Sequence, residues 1–108
     1  MSPQLAWVAL VTAGLLDVGW AVAMKYADGY TRLGWSIASL VLLAAFVFLL
    51  GRALQVLEIG VGYTVWTGIG AAGTFLVGVW FFGDPTSFGR WLGAVLIIAG
   101  VATLKLAH

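Results

Sequence analysis

Cysteine is absent from the 108 residues. That excludes disulfides and thiol chemistry and leaves the redox compartment unreadable. Charge is nearly as scarce: five Lys or Arg and four Asp or Glu, 8% of the chain, against 63% hydrophobic residues. A soluble domain of this size needs a charged, solvated surface. So few charges leave lipid as the solvent for most of the surface. The net charge of +1 provides no electrostatic pull toward nucleic acid, so no nucleic-acid partner is expected. A basic segment ahead of the first apolar run is also missing, since the first Lys is Lys25. The run is therefore read as a mature span and not a signal peptide.

What is present is apolar sequence in four blocks: Leu5–Met24, Leu33–Leu50, Ile59–Phe82 and Trp91–Leu106. Each approaches the ~20 residues that cross a ~30 Å hydrocarbon core as a helix, the last being the shortest. The first and third connections carry turn chemistry, Asp28-Gly29 and Gly83-Asp84-Pro85. The second carries little, so the second helix is expected to run on toward Val56. Backbone groups in lipid are satisfied only within helices or closed barrels, and these runs lack the alternation of barrel strands. The reading is an all-α membrane protein, residues 1–108 forming one domain of four transmembrane helices.

Four spans put both termini on one side, with Arg52 and Lys105; Lys25, Arg32 and Arg90 lie on the other. Orientation follows Lys/Arg bias, and this bias is close to nil. Either the one extra charge decides, or both orientations are made and an antiparallel dimer assembles from one gene product. Four such helices do not readily enclose a solute path and its lining, so transport would require at least a dimer, and two-fold dimers are the commonest oligomers.

Asp17 is the one acid placed within an apolar run. A charged Asp at the centre of a membrane helix costs ~2.5–3.5 kcal/mol on insertion scales, and such groups face bundle interiors or wet cavities. Two of them sharing a cavity titrate as a pair. A carboxyl group so placed can hold a proton or a cation in turn; the alternative is a buried acid with a purely structural hydrogen bond. Trp20, three residues on, shares its helix face, as do Ala13 and Gly14 one turn back, where small size leaves room. Tyr63, Trp66 and Thr67 stand at i, i+3 and i+4 and form a similar stripe. Aromatic faces attract cations by ~0.5–2 kcal/mol. The alternative placement for Trp and Tyr is an interfacial belt, which suits Trp7, Trp35, Trp80 and Trp91 better.

Gly68-Ile-Gly70-Ala-Ala-Gly73 matches a dinucleotide-binding pattern, but it lies inside an apolar span where the required strand–turn–helix unit has no place. Its glycines are read as packing or hinge positions. In the fourth span Gly93 and Gly100 share a face suited to close helix contact, and this span is assigned to dimerisation. Glu58 at the start of the third span is a favourable dipole partner. No catalytic residue, metal or cofactor enters this reading, and an enzyme is not expected.

The segments AGLLDVGWAVAMKYADGYTRL, LEIGVGYTVWTGIGAAGT and GAVLIIAGV resemble the small multidrug resistance family of proton-coupled exporters. The W-A-V-x-x-K-Y and Y-x-x-W-T-G-I-G stretches are most similar to its guanidinium-exporting branch. The resemblance implies an antiparallel dimer in the cell inner membrane, with the fourth span in the interface. Asp17 would bind proton and cation in turn, and Trp20, Tyr63 and Trp66 would line the site. It implies a proton-coupled antiporter for guanidinium-type or quaternary ammonium cations. Three departures stand out. The family acid is ordinarily Glu, one methylene longer than Asp17. Phe46 replaces a small hydroxyl residue of the guanidinium branch, adding apolar surface, with Ser39 on the same face as a partial substitute. Glu58 stands where a Pro is usual. A heterodimer with a related chain, a non-transporting partner subunit and a passive channel are the competing expectations.

Overall fold

A computed structural model describes residues 2–107, and its regular structure is entirely helical. Helix α1 spans Pro3–Tyr26, α2 Leu33–Ala53, α3 Ile59–Phe81 and α4 Phe88–Ala107. All four are long and apolar enough to cross a membrane, as their length and composition require.

The ends of the helices follow local chemistry. Ser2 caps α1 by accepting a hydrogen bond from the Leu5 N–H at 3.2 Å, and Pro3 occupies the first turn, where its missing N–H costs nothing. The Asp28-Gly29 turn is realised as three consecutive left-handed residues, Asp28, Gly29 and Tyr30, at φ 51°, 68° and 67°. The Ala27 carbonyl closes it by accepting from the N–H groups of Thr31 and Arg32. Helix α2 stops at Ala53 and does not continue to Val56. The chain folds back there because Ala53 and Leu57, both buried, dock into a core with Ala6, Ala9, Leu10 and Val65. Glu58 precedes α3 as its N-cap residue without a side-chain capping bond. Gly83, at φ 66°, turns the chain out of α3. Helix α4 begins three residues before Trp91 because the Ser87 hydroxyl accepts from the Arg90 N–H at 3.2 Å.

Helix α1 is the centre of the packing. Its small residues Ala6, Ala9, Ala13, Gly14 and Ala23 are buried, and small side chains let membrane helices approach closely. Helices α2 and α3 pack on α1, and α4 packs on α3. Helix α4 contains no buried residue. The result is a flat slab of 40 × 35 × 16 Å.

Candidate cation and proton site

The candidate site lies where α1, α2 and α3 meet. Helices α1 and α3 run in the same direction and cross through glycines. At Gly14 the space of a missing side chain is taken by Ile69, and a methyl group there would come within 2.6 Å of the Ile69 Cγ2. At Gly73 Val18 fills the space in the same way. Between these two contacts the carboxylate of Asp17 lies against Gly70, where a methyl group would overlap Oδ2 and stand 3.1 Å from Cγ.

Asp17 is half-buried. Among the described residues its carboxyl group has no hydrogen-bond or ion-pair partner. A carboxyl group withdrawn from water without a partner is costly as the anion, so its surroundings leave it open to a proton or a cation.

One turn along α1 from the acid, Trp20 begins a chain of aromatic rings drawn from three helices. Trp20 of α1 meets Phe46 of α2 edge-on, with centroids 5.4 Å apart. Phe46 meets Trp66 of α3 at 5.5 Å, and Trp66 meets Tyr63 at 5.3 Å. Phe46 is 3% exposed and is wedged between the two indoles. The Trp66 Nε1–H is buried and has no acceptor among the described residues. An orphaned buried donor costs ~1–3 kcal/mol, so the site contains both an acceptor without a donor and a donor without an acceptor.

The other sequence candidates fall elsewhere. Gly14 spends its small size on Ile69 and does not leave open space beside the acid. Ser39 is fully buried, but its hydroxyl donates to the Ser36 carbonyl at 2.9 Å, within its own helix. It therefore offers the site no free donor. Thr67 is exposed and, with the outer face of Tyr63, lines a groove of about 680 Å³ between α3 and α4. Gly100 borders that groove, and both Gly93 and Gly100 have open space where a side chain would stand.

Gly70 is the neighbour of Asp17 that the residue pattern did not single out for that role. A signal for it existed: Tyr63, Trp66, Gly70 and Gly73 recur at steps of three, four and three, one face of a helix. Gly68 lies off that face and receives Val101 of α4.

The chain is thus a multi-pass membrane protein whose one acid within the four helices, Asp17, has no partner among the described residues. A family model for the Small Multidrug Resistance protein matches residues 5–97, and the chain belongs to that family. It is 50% identical over 103 residues to the guanidinium exporter of Yersinia pseudotuberculosis serotype I (strain IP32953), covering 95% of this chain and 99% of the relative. It is 41% identical over 103 residues to the guanidinium exporter of Citrobacter freundii, covering 95% and 98%.

Proposed function

We propose that this protein is a proton-coupled antiporter that exports small organic cations by alternating access, as an antiparallel, dual-topology homodimer in the cell inner membrane. The observation that carries the reading is the Asp17 carboxyl group, left without a protein partner beside the Trp20–Phe46–Trp66–Tyr63 run. Binding of a cation to the carboxylate displaces the proton, and protonation displaces the cation, so the two cross in opposite directions when the site opens to one side at a time.

The relatives' names put guanidinium first among the substrates. Phe46 supports a second class, cations with apolar substituents such as quaternary ammonium. A guanidinium brings five or more N–H donors, and a desolvated site with one carboxylate leaves several of them unpaired, at a cost. A quaternary ammonium brings none, and the rings supply cation–π attraction. The dimer is supported by the thinness of the slab, by the unburied α4 and by the open space at Gly93 and Gly100.

The test is proteoliposomes holding a pH-sensitive dye, given a gradient of guanidinium or of a quaternary ammonium ion. Wild type is expected to move protons against the cation, and Asp17→Asn to abolish the movement. Equal behaviour of the two would sink the antiporter reading and leave a non-transporting partner subunit. Cation flux without proton counterflow would indicate a channel.

A further inference from the structure

Asp17 does not stand at the end of a closed seam. Following α1 from Asp17 by single turns leads to Ala21 and then Lys25. Following α3 from Gly70 by the same steps leads to Thr74 and then Gly78. Turns spaced by four residues share a helix face and rise ~6 Å each. The pairing Asp17–Gly70 therefore continues outward as Ala21–Thr74 and Lys25–Gly78, reaching the ends of both helices in ~12 Å.

The outer part of this seam is not filled. A cavity of about 90 Å³ opens there, with Ala21 and Thr74 at its inner end and Lys25, Phe82 and Asp84 at its outer end. That is room for a few water molecules. Its polar groups are placed in order. The Thr74 hydroxyl has no hydrogen-bond partner among the described residues. The Thr103 and Ser36 hydroxyls, by contrast, donate to carbonyls of their own helices. The Asp84 carboxylate lies against Gly78, and the Asp84 N–H donates to the Gly78 carbonyl at 3.0 Å. The Lys25 ammonium sits over the Phe82 ring, 5.0 Å from its centroid. Among the described residues Asp17, Lys25 and Asp84 are the charged groups on this seam.

We propose that the α1–α3 seam is a proton path between Asp17 and the membrane surface, open only in the state whose cation site faces that same surface, and distinct from the aromatic run of α1, α2 and α3 that takes the cation. One proton leaves the Asp17 carboxyl oxygen as a cation binds there. Each hydroxyl along the path, Thr74 or water, receives one proton and gives up another, so none is left charged. At the mouth, beside Asp84, the proton passes to bulk water. Lys25 and Asp84 bring opposite charges to the same mouth, so exclusion of an organic cation there rests on the narrowness of the seam. A proton passed from oxygen to oxygen does not require an ion of that size to travel. The inference rests on the reading of Asp17 as the proton-binding group.

The measurement is stopped-flow release of protons from purified protein on mixing with guanidinium, alongside equilibrium binding of guanidinium by tryptophan fluorescence. Thr74→Val removes the hydroxyl at nearly constant volume, Ala21→Leu fills the cavity, and Thr74→Ser restores a hydroxyl. Thr74→Val and Ala21→Leu are expected to slow release ~10-fold or more, by loss of a proton-transfer group, with equilibrium affinity unchanged. Thr74→Ser is expected to keep the wild-type rate. Release at the wild-type rate in Thr74→Val overturns the path, whether or not Ala21→Leu folds. An affinity loss in Thr74→Val that matches the loss in rate also overturns it, because it places Thr74 in the cation site. If Asp17→Asn releases protons as wild type does, the failure belongs to the antiporter reading instead.

Discussion

The carboxylate of Asp17 occupies the space that a side chain at Gly70 would need. The acid's position is therefore set by a residue on another helix that has no side chain at all. Gly70→Ala is expected to push the carboxylate out of the α1–α3 seam while leaving both helices formed. A misplacement of ~1 Å in a reacting group can cost ~100-fold in rate. Cation-driven proton movement in proteoliposomes should fall by that order, with the protein still monodisperse in detergent. Unchanged transport in Gly70→Ala would show that the acid works from another position.

Phe46 joins Trp20 to Trp66, and the pair of contacts makes it a divider between the two indoles. Phe46→Ser is expected to exchange apolar surface for a hydroxyl near the acid. The ratio of guanidinium to quaternary ammonium transport should rise. Removing a buried Phe side chain in this way costs ~3–5 kcal/mol in soluble cores, so thermal stability should drop as well. A substrate ratio equal to wild type would remove Phe46 from substrate selection.

Trp66 offers a sharper test of the orphaned donor. Trp66→Phe keeps an aromatic ring against Phe46 and Tyr63 and deletes the buried N–H. An unpaired buried donor costs ~1–3 kcal/mol. Substrate-free Trp66→Phe should therefore unfold thermally at or above the wild-type midpoint. A clear fall would mean that the N–H finds its acceptor in the assembled protein.

Helix α4 has no buried residue, and a methyl group at Gly100 would meet no described atom within 4 Å. Gly100→Leu should therefore leave the single chain folded and shift a homodimer toward monomer, read by cross-linking in membranes. Unaltered cross-linking would place the interface elsewhere.

Insertion in both orientations has its own readout. Cysteine placed by Ser2→Cys or Ala107→Cys, in a chain with none of its own, should label from both sides of the cell membrane. Labelling from one side alone would end the dual-topology reading.

The spans were legible because a membrane core imposes one length and one polarity on any helix that crosses it, and Asp17 stood out against that background. Trp20, Tyr63, Trp66 and Phe46 could be nominated, the first three by spacing and the fourth by resemblance. Their union in one run could not be read, because it depends on how α2 is rotated against α1 and α3. Ser39 shows the limit. Its place on the Phe46 face is a matter of spacing, while the direction of its hydroxyl is decided by the nearest carbonyl, that of Ser36. Thr67 shares the stripe of Tyr63 and Trp66 but lies on the side turned to α4.

By itself, then, the sequence determined that this chain crosses a membrane four times, carries one misplaced acid and offers few charges to orient it. Hydrophobic transfer and backbone hydrogen bonding act residue by residue, so they are written locally. Only the tertiary structure decided that Asp17 rests on Gly70, that Phe46 separates two indoles and that Thr74 stands between the acid and the surface. Those relationships depend on the rotation and register of whole helices, which glycine contacts between α1 and α3 set at a distance in the chain.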